Sequence, residues 1–294
     1  MELTAFAPAT VSNLGPGFDV LGLAVEGPGD RVTGRLADTL RLDASPGVPS
    51  DPGRNTAGVA AAEVLRRTGA PGVHLRLDKG MTVGTGLGSS AASAVAAAFV
   101  TNALLGYPLS DQELVACAVE GEALVSGRHA DNVAPCLFGG LVLVRHDLSV
   151  LRLPVPAMSI VTVTPDFELP TRMAREALPD QVPLSAMVRT ASDIGSLVHA
   201  CHTGDLELFG CALHDEVVAP VRARLIPGCE AALAAALQAG AFAASISGAG
   251  PTCFALCSSD PGDVGPAMIR AFEAAGLTAV ARQCSLPQPG VRLL

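Results

Sequence analysis

The chain has no tryptophan and one tyrosine, Tyr107, and aromatic residues make up only 3% of its 294 positions. Stacking platforms for single-stranded nucleic acid need several aromatics, so that class of surface is excluded. Lysine is almost as scarce. Of nineteen Lys and Arg residues only Lys79 is a lysine, so a Schiff base, a lysine general base or a lysine phosphate clamp has a single candidate. The net charge of −9 argues against a nucleic-acid partner. The apolar stretches are alanine-rich and broken by Ser, Thr, Asn or Gly, and none makes a convincing membrane span of about 20 residues. The eight cysteines are scattered without a Cys-x-x-Cys pair and are expected to be reduced, buried small side chains. His199 and His202 stand three apart, but no acidic or cysteine partner lies at metal-ligand spacing, so no zinc site is expected. The opening "MELTAFAPATVSN" has no basic start and no apolar signal core, which gives a cytoplasmic expectation with no membrane partner.

What the chain does have is apolar bulk and glycine. Hydrophobic residues make up 49%, enough for one large domain or two ordinary ones. There is no fixed-period repeat. Alternation and turn signals predict strands at Leu3–Ala7 and Val20–Val25, a helix over Thr56–Thr68, a strand at "VHLRLDK" and a helix from Asp111 to Ser126 capped by Ser110 or Asp111. "GGLVLVRHD" reads as the last strand of the first half. The proline-rich "LRLPVPAMSIVTVTPD" marks a boundary near residue 155 and gives domains 1–155 and 156–294. Beyond it the pattern predicts a short helix at Thr171–Leu178, a helical pair across 184–220, a helix at 228–239, two short strands around a glycine turn in "FAASISGAGPTCFALC", and a closing helix and strand. Strands and helices mix without a strict βαβ rhythm, so the fold class is α+β rather than a doubly wound parallel sheet.

The stretch "VGTGLGSSAASAVAAAFVTNALLG" runs a glycine-rich turn straight into a helix. A helix N-terminus carries bare N–H groups and the positive end of its dipole, and glycines let a ligand approach the backbone, which together suit phosphate. A tight turn with a serine cap explains the same residues, and composition leaves both readings open. Spelling excludes the familiar loops. A Walker loop needs lysine after Gly88, where Ser89 stands, and the dinucleotide fingerprint needs a third glycine at that same position. There is no Gly-x-Ser-x-Gly elbow either.

"GTGLGSSAAS" resembles the second motif of the GHMP kinases, a family of small-molecule kinases. "APATVSNLGPGFDVLGLAV" (7–25) resembles their first motif in its homoserine-kinase form. "SISGAGPTCFAL" (245–256) resembles the third, and "GRHADNVAPCLFGG" (127–140) also matches the homoserine-kinase branch. The likeness covers essentially the whole chain. It departs at Thr82, where the family usually has proline. Thr10 replaces the lysine of many relatives, as in homoserine kinases. The resemblance implies a two-domain fold, with a mixed sheet and helices in the N-terminal ATP-binding domain and a ferredoxin-like sandwich in the C-terminal one. It implies ATP with Mg2+, L-homoserine as substrate and a homodimer. A GHMP kinase acting on another alcohol, and a non-catalytic ligand-binding member, are the competing readings.

By the same resemblance, Gly84, Thr85, Gly86, Leu87, Gly88, Ser89 and Ser90 wrap the triphosphate, and Asn55 contacts the adenine. Ser90 and Glu122 are the magnesium-side residues, with Glu120 a rival, and this chain is one residue shorter between Glu122 and His129. Asn13, Asp19, His129, Arg175, Arg222 and Gly248 match substrate contacts. Asp19 suits the ammonium, and the planar forks of Arg175 and Arg222 suit the carboxylate. Thr171 matches a further site residue one turn before Arg175, whereas Arg224 is read as structural. Asn132 and Asp131 sit where some relatives place a base. Phosphoryl transfer needs mainly positioning and charge stabilisation, so the base stays unassigned.

Overall fold

The computed structural model describes residues 1–258 and 260–294. The first half is built on a sheet whose main path runs from strand β1 (Glu2–Ser12) to the long strand β2 (Leu21–Leu36). Next come β3 (Arg41–Ala44), helix α1 (Thr56–Thr68) and β4 (Val73–Asp78), with β4 antiparallel to β2 and parallel to β3. Helices α2 (Ser89–Leu104), α3 (Asp111–Glu122) and α4 (Val133–Phe138) follow, then β5 (Leu141–Val144) and β6 (Val150–Leu153), which extend β2 as a hairpin.

Helix α2 is central, buried on nearly every face, and packed on α1, α3, β1 and β2. A helix apolar all round belongs in a core, and its alanines let neighbours approach closely. Gly34 of β2 continues that logic, because a Cβ there would meet Leu75 at 2.8 Å and Leu104 of α2 at 3.1 Å.

The second half begins with β7 (Ser159–Pro165) and continues through α5 (Thr171–Glu176), α6 (Leu184–Thr203), α7 (Leu206–Ala212), α8 (Ala219–Ala223) and α9 (Cys229–Gln238). It then adds β8 (Ala243–Ile246), β9 (Cys253–Cys257), α10 (Val264–Ala274) and β10 (Ala279–Ser285). The four strands form an antiparallel sheet in the order β10-β7-β9-β8, which is the ferredoxin-like arrangement. Its period-2 alternation explains two cores. Val161, Val163, Cys253 and Ala255 face α9 and α10, whereas Ile160, Phe254 and Leu256 join the larger cluster with Leu197 of α6 and Phe209 of α7.

The two sheets divide between Leu153 and Ser159, but strand β11 (Arg292–Leu293) returns to pair with β1. The sequence pattern missed β3, β6, α4 and β11, which are four to six residues long or shorter. The strands β1 and β2 run longer than predicted, and the expected helical pair across 184–220 is three helices. Among the described residues no helix is long and apolar enough to cross a membrane.

Candidate active site

Three loops from distant parts of the chain meet around one cavity of about 470 Å³. The first joins β1 to β2. Asn13, Leu14, Gly15 and Asp19 all have left-handed φ (72°, 46°, 72° and 58°). Non-glycine residues hold that conformation only where the surroundings enforce it, and such places tend to be functional. Here Asn13 N–H donates to the Leu21 carbonyl at 2.8 Å, and Asp19 N–H donates to Asn13 Oδ1 at 3.2 Å. The turn thereby aims the Asp19 carboxylate at the cavity.

The second loop, 80–88, enters α2. Gly84, Gly86 and Gly88 have φ of +76°, +79° and +69°. A Cβ on Gly86 would stand 2.6 Å from the Ser247 carbonyl, and one on Gly88 would stand 2.1 Å from Thr10 Oγ1, so glycine is required at both. The third loop, between β8 and β9, clamps the second, with Ser247 Oγ donating to the Gly86 carbonyl at 2.5 Å and Thr252 N–H to the Thr85 carbonyl at 3.2 Å. The start of α2 is fixed from below as well. Lys79 Nζ donates to Asp30, to the Ser89 carbonyl and to Ser93 Oγ, and the fully buried Asp30 also accepts from the Gly80 and Met81 N–H groups.

Beside this helix start, Ser90 Oγ donates to Glu122 Oε1 at 2.9 Å, and Ser126 Oγ donates to the same oxygen. Glu122 Oε2 is buried and has no partner, and burial raises the pKa of this carboxyl. Asn132 Oδ1 accepts from Thr10 Oγ1 at 2.8 Å, and its amide donates to Ser12 Oγ at 3.1 Å. Asp131 is nearly fully buried. Desolvation first, and then the nearby Asp19, push its pKa up to about 7.

On the opposite wall Arg175 of α5 makes a two-pronged pair with Asp19, at 2.9 and 3.1 Å. His129 Nδ1 lies 3.2 Å from Asp19 Oδ2, and burial lowers the His129 pKa. Arg222 is only 3% exposed. It donates from NH1 to the Gly248 carbonyl at 2.7 Å, and its pKa is pulled down to about 10 by burial and then by Arg175. The Nε atoms of Arg175 and Arg222 are both buried without partners. Arg175 and Arg222 therefore bring two cations to the same cavity as the carboxylates of Asp19 and Glu122. That arrangement suits a ligand carrying an anion and a second one carrying a cation.

The sequence-based site residues converge on this cavity with two differences. Gly84, Thr85, Gly86, Gly88, Ser89, Ser90, Asn13, Asp19, Glu122, His129, Asp131, Asn132, Thr171, Arg175, Arg222 and Gly248 all line it. Leu87 is buried beneath the loop, where its carbonyl accepts from Thr10 N–H. Asn55 lies outside the lining. Its Oδ1 caps α1 at Ala57 N–H and its amide donates to the Pro49 carbonyl, so the carboxamide is occupied structurally. Sequence reasoning missed Ser12, Ser126, Phe18 and Asp30, and it offered Lys79 for chemistry where the structure ties it beneath the loop. Ser126 was visible as the residue one turn after Glu122. Asp30 gave no local signal, because its partner lies 49 residues away.

A family model described as the GHMP kinases N terminal domain matches residues 55–140, and one described as GHMP kinases C terminal matches 197–275. The chain is 45% identical to a protein named homoserine kinase from Arabidopsis thaliana, over 100% of this chain and 85% of that one. It is 43% identical to homoserine kinase from Methanopyrus kandleri over 94% of each. The crystal structure of homoserine kinase from Cytophaga hutchinsonii superposes with a TM-score of 0.94 at 40% identity, over 100% of this chain and 97% of that one.

Proposed function

The chain belongs to the GHMP kinase family, and from that premise we propose that it transfers the γ-phosphoryl group of ATP to the hydroxyl of L-homoserine. The products are O-phospho-L-homoserine and ADP, a step in threonine formation. The observation that carries the substrate reading is the Asp19–Arg175–Arg222 arrangement. A zwitterion entering it exchanges one ion pair for two: its ammonium takes Asp19, and its carboxylate takes the arginines, whose Nε atoms are otherwise unpaired. A neutral sugar brings no counter-charge for Arg222, whose hydrogen bond goes to a carbonyl.

The loop Gly84–Ser90 supports the ATP reading. Its left-handed glycines leave backbone N–H groups free at the start of a sixteen-residue helix, which stabilises phosphate charge. The residues present also fit Mg2+. Glu122 has an unpartnered buried oxygen, and Ser90 hydroxyl sits on its other oxygen. Magnesium usually takes one or two carboxylates together with the nucleotide's own phosphates, so a single glutamate suffices. Bound there, the ion would neutralise charge on the transferring phosphoryl group.

The protein's own part in the reaction is positioning. Loop 84–90 holds the donor, and Asp19, His129 and the arginines hold the acceptor by its amino-acid end, leaving its hydroxyl free to approach the γ-phosphate. The Thr10–Asn132–Ser12 chain of hydrogen bonds fixes the floor between them. The hydroxyl proton has two candidate acceptors, Asp131 and the γ-phosphate itself. A cytoplasmic location and a homodimer go with this reading, and the dimer is tested by sedimentation. A coupled ADP-release assay tests the function. Homoserine-dependent turnover is expected, and turnover on mevalonate or galactose without turnover on homoserine refutes it.

A further inference from the structure

The two arginines assigned to the carboxylate share a neighbour that forms no hydrogen bond with either. The guanidinium carbon of Arg175 lies 5.2 Å from the centroid of the Phe18 ring, and that of Arg222 lies 5.2 Å from the same centroid. Both distances fall within the range in which an aromatic face attracts a cation. The arginines come from α5 and α8, and Phe18 comes from the strained turn between β1 and β2, next to Asp19. Three separate segments thus place two like charges over one ring.

Two facts make this arrangement consequential. The guanidinium groups repel each other, and hydrogen bonds hold only part of each. Arg222 has one hydrogen bond, to the Gly248 carbonyl, while Arg175 is held on one side by Asp19. A carbonyl or carboxylate in the place of Phe18 would hold them too, but it would consume N–H donors. An aromatic face attracts the cations without taking an N–H donor. The Nε atoms of both residues are buried without a partner.

We infer that Phe18 is a positioning residue: its ring holds the Arg175–Arg222 pair open as a preformed fork for the carboxylate of the amino-acid substrate. This rests on the substrate reading given above. The turn carrying Phe18 also carries Asp19, so one short segment sets the receptor for the ammonium and the spacing of the receptor for the carboxylate.

The test compares Phe18→Leu, Phe18→Met and Phe18→Tyr with the wild-type enzyme, by steady-state kinetics in homoserine and in ATP. Leucine and methionine keep apolar bulk and lose the ring, and either suffices if the other fails to fold. The expected result is a rise of about 5- to 30-fold in the KM for homoserine for both, the range that loss of two cation–π contacts covers. kcat should stay within about threefold and the KM for ATP should not change, because the two arginines over the ring are assigned to the amino-acid substrate. Phe18→Tyr, which keeps the aromatic face, should restore the homoserine KM. A wild-type homoserine KM in the leucine or methionine variant overturns the inference, as does an equal rise in the ATP KM. Wild-type enzyme that turns over no homoserine refutes the substrate reading instead, so the two failures are distinguishable.

Discussion

Replacing Arg175 by glutamine removes one cationic fork of the carboxylate site and leaves a shorter, neutral polar side chain. Arg175 is paired with Asp19 through two hydrogen bonds, with side chains 37% and 24% exposed. A pair so open to solvent is worth at most about 1 kcal/mol. A two-pronged contact with a substrate carboxylate inside the cavity is worth about 3 kcal/mol. Binding exchanges the first for the second, so the net loss on substitution is about 2 kcal/mol, or roughly 30-fold in the KM for homoserine. The assay is ADP release with homoserine varied at saturating ATP, then ATP varied at saturating homoserine. The ATP KM should stay at the wild-type value, since the hydrogen bonds of Arg175 go to Asp19 and not to loop 84–90. Equal losses for both substrates would show that Arg175 supports the fold of the cavity and does not read the carboxylate. No loss for either would show that the ion pair with Asp19 is its whole role.

Glu122→Gln keeps the shape of a buried side chain and removes its charge. It should leave folding intact, lower kcat about 100-fold or more, and raise the Mg2+ concentration needed for half-maximal activity. An unchanged magnesium titration would refute the assignment. Gly88→Ala should be the most disruptive change in the loop, because it combines a left-handed φ with a methyl 2.1 Å from Thr10 Oγ1. A loss of about 3 kcal/mol or more in denaturant unfolding is expected. Asp131 predicts a pH dependence of stability. Its pKa is raised from 3.8 to about 7 in the folded state, so its contribution is fully present below about pH 4 and is lost as pH rises through about 7. Asp131→Asn should flatten the fall in stability across that window, and an unchanged slope would contradict the burial argument.

The fold was legible wherever an element was long and strongly patterned. The helix over Thr56–Thr68 and the two strands around the third glycine turn stand where the pattern puts them. The short strands β3, β6 and β11 were not legible, because two to four residues carry no period. Most of the cavity was visible through motif spelling, which also carries spatial information that spacing alone does not. Asp19 and Arg175 are 156 residues apart, and no local rule joins them. Asn55 shows how spelling and local structure overlap. A polar residue before a helix is first a cap, and here its Oδ1 caps α1 while its amide donates to the Pro49 carbonyl. Lys79 shows the opposite case. The only lysine next to a phosphate loop invites a role on the phosphate, but its ammonium is tied to Asp30, the Ser89 carbonyl and Ser93 beneath the loop.

The central claim is that this cavity phosphorylates a zwitterionic amino-acid alcohol. The most direct measurement is phosphorus NMR of a reaction containing the protein, ATP, Mg2+ and equal amounts of L-homoserine, mevalonate and galactose. The account predicts one new phosphomonoester signal, coupled to the terminal methylene of homoserine and growing in step with ADP. A phosphomonoester of mevalonate or galactose with homoserine left unmodified would contradict it.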